Sequence, residues 1–288
     1  MSAVYRHEVS SYFTNVTGWV FGAFLLLFAG IYMTAYNLHG GYTNFEYVLG
    51  SMCFVFLVTV PILTMKIIAE EKRQRTDQLL YSLPLSMTKV VMGKYLALLT
   101  VFALPMLIIC MYPIVLGAFG NVWLPAAYSA MLGFFLLGAA LIAIGMFISS
   151  ITESQAVAAG LCFVVMLLNY FITSLASYAS SSASGSLAAF TVLVILIGAL
   201  FRLMTRSGFA SIVLMIVLEG ALLAGYLVDS SAFEGFFPSV MEQLSLFDRF
   251  YGFVDGILDL RSVVYLISVA AVFVFLSVQS LEKRRWSE

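Results

Sequence analysis

Apolar residues in this chain gather into eight long runs separated by short polar breaks. The runs lie near 19–38, 45–65, 95–118, 127–149, 156–176, 187–204, 209–228 and 263–281. Most are close to the roughly 20 residues that a helix needs to cross a bilayer, and the sixth is the shortest. A membrane barrel would show short alternating segments instead. The pattern predicts an all-α polytopic membrane protein forming a single domain over 1–288. It has six to eight transmembrane helices, eight being preferred; the lower count lets 187–228 fold as a re-entrant hairpin.

Two stretches outside the runs carry their own pattern. From Val4 to Val16, the residues Val4, Tyr5, Val9, Tyr12, Phe13 and Val16 recur at helical spacing, and Arg6, Glu8, Ser10 and Thr14 lie off that face. This predicts an interfacial helix over 4–16, lying on the membrane before the first span. Before the last run, 233–260 reads as an external hairpin of two short helices. Ser239 with Glu242 and Ser245 with Asp248 have capping-box spacing. The aromatic residues Phe233, Phe236, Phe237, Phe247, Phe250, Tyr251 and Phe253 suit either a plug at the outer mouth of a pathway or an interfacial belt.

Composition agrees with the runs. The chain is 62% hydrophobic and 10% charged, where a soluble domain would be about a quarter charged. Mean hydropathy is +1.03. The net charge of −1 points to no particular partner, and no nucleic acid is expected. The placement of charge is more informative. With the N-terminus inside and eight alternating spans, 12 of the 14 basic residues fall on the inner side, leaving only Arg249 and Arg261 outside. Both termini and the 66–94 segment are then cytoplasmic. The polar start and long first run predict a retained anchor rather than a cleaved signal peptide.

Candidate chemistry is sparse. Phosphate-binding P-loop, HExxH and GxSxG patterns are absent, and His7 and His39 are the only histidines. Cys53, Cys110 and Cys162 sit inside apolar runs without metal-ligand spacing. No catalytic residue, metal or cofactor is expected in this chain. Glu219 is the one clear carboxylate within an apolar run. It reads as a substrate or proton contact, or as a structural hydrogen bond to a neighbouring span.

The polar break from Lys66 to Lys94 is the most informative stretch. Glu70, Glu71, Lys72, Arg73 and Arg75 place acids ahead of bases on one helix, with Glu70–Arg73 at i,i+3 and Glu71–Arg75 at i,i+4. Thr76 can cap a new short helix with Asp77 in its first turn. Leu79, Leu80 and Tyr81 give that helix an apolar surface, and Pro84 ends it. Ser86 can cap the helix that follows. Flanking charge for membrane orientation explains the bases, but not the double acid or the exposed leucines. The segment reads as a docking hairpin for a soluble ATPase.

The stretch IIAEEKRQRTDQLLYSLPLS resembles the cytoplasmic loop of type-2 ABC exporter permeases, in the gliding-motility and copper-enzyme-maturation branch. Met65, Ala69, Glu70, Glu71, Lys72, Thr76, Leu79, Leu80 and Pro84 fit that branch's pattern, while Lys66 stands for its usual Arg and Arg75 for its usual Gly. The C-terminal stretch ending in Leu281, Glu282, Arg284, Arg285 and Trp286 is also similar to it. The resemblance implies a permease subunit in the bacterial cytoplasmic membrane. It would dimerise, with a like or unlike chain, and bind two copies of a separate ATPase that holds the ATP and Mg²⁺. The short helix after Thr76 would be the coupling helix. Two rivals stand beside this reading: a proton-coupled secondary transporter using Glu219, and a membrane scaffold without transport.

Overall fold

A computed structural model of the chain describes residues 1–76, 86–205 and 208–287. All regular structure among the described residues is helical. In chain order the helices are α1 (Ser2–Thr14), α2 (Val16–Met33), α3 (Glu46–Met52), α4 (Phe56–Thr64), α5 (Ala69–Gln74), α6 (Met87–Ile109) and α7 (Tyr112–Gly117). Then follow α8 (Leu124–Ile151), α9 (Gln155–Tyr170), α10 (Ile172–Tyr178), α11 (Ala183–Thr205), α12 (Gly208–Val228), α13 (Phe236–Gln243), α14 (Leu246–Val254) and α15 (Leu260–Ser287). A π-helical turn, Thr34–His39, extends α2, and a 3₁₀ turn, Cys53–Val55, joins α3 to α4. Contacts divide the chain into two compact units, Met1–Leu168 with Leu246–Glu288, and Asn169–Ser245.

Among the described residues, six helical stretches are long and apolar enough to cross a membrane: Val16–His39, Glu46–Gln74, Met87–Gly117, Leu124–Ile151, Ser211–Val228 and Leu260–Arg285. The broken pair α9 and α10 makes a seventh if it crosses as one. Among the described residues α11 contributes a further apolar stretch, Ala183–Ala199. The described residues thus give six or seven spans, within the six to eight expected, and the sixth run forms the 23-residue helix α11.

The first unit is built around α8. This helix is apolar on all sides, which suits a helix enclosed by others. It packs against α15, α14, α4 and α6. Its small residues let the neighbours approach closely: a Cβ on Gly133 would lie 2.6 Å from Phe253 Cγ. Rings from four elements meet beside it. Phe56 stacks on Phe134 with centroids 4.4 Å apart, and Phe102 and Phe250 meet the pair edge-on or tilted at 5.7 to 6.3 Å.

The second unit is a hairpin of α11 and α12, with α13 packed on α11 and α10 packed on α13. Phe190 of α11 contacts Phe236 and Phe237 at the start of α13, both at 5.3 Å.

The 233–260 segment does form two short helices, but one lies in each unit. In α14, Phe247, Phe250 and Phe253 are at most 1% exposed. Those aromatics are core residues and not an interfacial belt. The Ser239 capping box does not form, because α13 begins after Gly235 in the left-handed region (φ +68) and Ser239 lies inside the helix. Ser245 does directly precede α14, with Asp248 in its first turn.

Two boundaries also move. The third span starts at Met87, eight residues before its apolar run, so Lys94 is helical and buried rather than part of a loop. The last helix continues past residue 281 to Ser287, carrying Lys283, Arg284 and Arg285 on helix.

Candidate functional site

The polar hairpin leaves α4 at Met65, and its ascending root is bonded to the end of α8. Residues 65–68 form a turn, so the first amides of α5 lack partners within the helix. Ser149 Oγ accepts from the amides of Ile68 and Ala69 at 3.2 and 3.0 Å, and donates to the Met65 carbonyl at 3.2 Å. One hydroxyl thus uses its donor and both acceptor sites. Lys72 Nζ donates to the Ser150 carbonyl, which also accepts from Ser280 Oγ of α15 at 3.2 Å. Beyond these, Arg284 bonds Glu153 at 2.8 Å, and this holds the Glu153 carboxyl below its ordinary range.

The descending side is held by Lys94, whose side chain is 1% exposed. Its ammonium donates to Glu8 Oε1 at 2.6 Å, Glu71 Oε1 at 2.6 Å and the Ile67 carbonyl at 3.0 Å. Three donors meet three acceptors. Burying an ammonium costs several kcal/mol unless charge and hydrogen bonds compensate, and here both do. Because Glu8 is on α1, Glu71 on α5 and Lys94 on α6, a single cation joins three elements.

The first helix is fastened by the same region. Tyr12 Oη donates to the Leu63 carbonyl at 2.8 Å. Burial, reinforced by the negative charge of Glu8, Glu70 and Glu71, pushes this hydroxyl well above its ordinary pKa, so it stays a donor. Lys66 Nζ donates to Thr17 Oγ1 at 2.7 Å and lies over the Tyr12 ring. Tyr5 Oη lies 2.9 Å from Thr100 Oγ1 of α6. The predicted 4–16 helix exists as Ser2–Thr14, but it is docked on α6. Glu8 turns inward instead of lying off the face, and Val16 belongs to α2, where it is 70% exposed. Between α1 and the hairpin root lies an open polar cleft of about 580 Å³, lined among others by His7, Ser11, Glu70 and Gln74.

The predicted coupling residues separate into those facing inward and those facing outward. Glu71 turns to Lys94 rather than to Arg75. Glu70 accepts from Gln74 Nε2 at 3.2 Å rather than pairing with Arg73. Arg73 and Arg75 are exposed. Arg75 adopts the left-handed conformation (φ +56) and ends α5. Its amide donates to the Lys72 carbonyl at 3.2 Å, and that of Thr76 to the Glu71 carbonyl at 3.0 Å. That bond pair is a Schellman closure, normally made with glycine. Thr76 Oγ1 also donates back to the Glu71 carbonyl at 3.3 Å, so its hydroxyl closes α5. Asp77, Leu79, Leu80, Tyr81 and Pro84, with the proposed coupling helix, lie outside the described residues.

Against this geometry, the family model for the ABC-2 family transporter protein matches residues 2–186, from α1 through the hairpin and into the second unit. The chain belongs to the ABC-2 transporter family. No curated protein matches it. As an ABC-2 permease it is a multi-pass membrane transport subunit of an ABC transporter, and the family implies an ABC ATPase as its partner.

In the second unit of the permease, Thr191 Oγ1 donates to Glu219 Oε1 at 2.6 Å. Glu219 Oε2 is buried and has no hydrogen-bond partner among the described residues. Glu219 is thus bonded to a neighbouring helix through one oxygen. Among the described residues no cluster of His, Cys, Asp or Glu could hold a metal ion.

The sequence reading missed Glu8 and Lys94. Glu8 lies at i+3 from Tyr5 and i−4 from Tyr12, on the buried face of its helix, and that spacing was a usable signal. Lys94 precedes a strongly apolar segment within a helix that begins at Met87, so a lysine there needs a partner.

Proposed function

We propose that this permease works in an ATP-driven exporter of the gliding-motility and copper-enzyme-maturation branch, in a bacterial cytoplasmic membrane. Two permease chains pair, and each receives one of two ATPase copies at its hairpin. Both termini and the hairpin face the cytoplasm, and ATP and Mg²⁺ are held by the partner.

The observation that carries this reading is the Lys94 junction. A docking element transmits motion only if its root cannot swivel. Here one buried ammonium ties the root to α1 and α6, while Ser149 and the Ser150 carbonyl, which accepts from Lys72, tie it to α8. Displacement of the hairpin by the ATPase then moves several spans as a rigid body. Arg73 and Arg75 face outward and suit a polar rim that sets register with the partner. Glu219, with one oxygen held by Thr191 and the other without a partner among the described residues, serves as the contact for substrate or a proton within the membrane.

The test is replacement of Leu79 and Leu80 together by Asp, followed by co-purification and ATPase assays. Burial of each leucine is worth about 1.5–3 kcal/mol, so the double variant is expected to release the ATPase or to leave hydrolysis insensitive to the permease. Normal binding with normal coupling would overturn the reading.

A further inference from the structure

The first unit carries a groove that the transport reading does not use. It runs between α6 and α15 over α8 and holds about 570 Å³. Its floor is Phe135, Leu136 and Ala139, and Tyr95 Oη donates to the Ala139 carbonyl at 3.0 Å, pinning α6 to α8 beneath it. On α15 the wall is lowered by two adjacent small residues, Ala270 and Ala271. The lining is apolar over most of its length and turns polar at the hairpin end, where Thr88, Gln279 and Glu282 line it. The chain neighbours of two of these, Lys89 and Lys283, are exposed.

Its dimensions identify the occupant. On α6 the lining runs from Thr88 to Leu99, and on α15 from Leu266 to Glu282, which at about 1.5 Å per residue is roughly 17 and 24 Å. One leaflet with its headgroup layer is about 20–22 Å thick. A helix of a second copy would run the full bilayer. The volume spread over that length leaves room for one hydrocarbon chain along the floor of the groove. We infer that this groove is a binding site for one membrane phospholipid of the leaflet on the hairpin side. An acyl chain lies along Phe135, Ala139 and Ala271, and the phosphate sits near Lys89 and Lys283. The lysine stems can follow the apolar surface while the ammonium groups reach the headgroup.

The test uses the full chain purified in detergent, with bound lipid measured by phosphate analysis and native mass spectrometry. The wild type is expected to retain about one phospholipid per chain. Ala271→Phe, which fills the groove from an exposed position, is expected to lower retention at least threefold without changing the thermal midpoint. Ala23→Phe, an exposed change on α2, is expected to leave retention unaltered. A second measurement avoids reliance on the filled variant. In a chain with Trp19, Trp123 and Trp286 replaced by Phe and carrying Phe275→Trp, a phospholipid brominated along its chain should quench fluorescence, with saturation near one lipid per protein. Equal retention in wild type and Ala271→Phe, or quenching that never saturates, overturns the assignment. So does a loss of cross-linked dimer in Ala271→Phe with lipid retention intact, which would give the groove to a second copy.

Discussion

Lys94 and Glu71 stand 2.6 Å apart at the junction between the third span and the polar hairpin. The lysine is closed to solvent and the glutamate is 26% exposed, so the pair lies at the edge of the water with its cation on the dry side. This contact ties the hairpin root to the third span, and it sets the first expectation. Lys94→Met leaves Glu8 and Glu71 facing each other without their cation. Breaking a buried pair in this way costs about 3–5 kcal/mol, and a large fall in thermal midpoint and yield is expected. The triple variant Lys94→Met, Glu8→Gln, Glu71→Gln should recover most of the stability without recovering coupled ATP hydrolysis. Glu8→Gln alone should be mild, because Glu71 and the Ile67 carbonyl remain. A stable, fully coupled Lys94→Met protein would remove the junction from the mechanism.

Arg75 offers a second expectation with opposite signs for stability and function. It holds a left-handed backbone conformation, which costs a residue with a Cβ about 1–2 kcal/mol. Arg75→Gly should therefore slow hydrogen exchange of the Ala69–Gln74 amides, and Arg75→Val should speed it. If the exposed guanidinium contacts the ATPase, Arg75→Gly weakens co-purification while the hairpin root becomes more stable. Unchanged binding would assign Arg75 to the turn alone.

Glycine positions in the membrane give a packing test. Gly133→Ala would place a Cβ 2.6 Å from the Phe253 ring, and overpacking of this kind costs about 1–3 kcal/mol. Gly30 has nothing within 4 Å of a Cβ, so Gly30→Ala should be neutral. Thermal unfolding of the two variants in detergent distinguishes them, and equal midpoints would contradict the docking of α14 on α8.

For Glu219, substitution by Gln keeps the shape and an oxygen for Thr191 to bond. The expected result is an unchanged thermal midpoint, retained ATPase and reduced transport. A fall in stability or yield alone would make the Thr191 bond a structural one.

Orientation is tested by cysteine labelling after replacement of Cys53, Cys110 and Cys162. A cysteine at Leu258, which is 59% exposed, should react with an impermeant reagent applied outside. One at the exposed Gln74 should react only after the membrane is opened. The reverse pattern would invert the topology.

Much of this architecture is determined by the sequence alone, and for a plain reason. In a bilayer an apolar run of about 20 residues has one low-energy state, a helix that satisfies its own backbone. The runs and the two short helices before the last span were therefore legible, as was the placing of Glu219 within an apolar run. The tertiary structure alone decided the partners. Lys94 looked like loop because hydropathy scores a charge without its neighbours, and its carboxylates come from 86 and 23 residues away in the chain. Glu8 looked solvated because periodicity marks apolar faces and does not say that a charged residue will meet a buried opposite charge. The rings of α14 looked like a membrane-surface belt because an aromatic residue suits an interface and a core equally well. Only the space opened by Gly133 on α8 placed Phe253 in the core. Local pattern sets which segments are helical, whereas burial of charge and ring is settled by which helices come together.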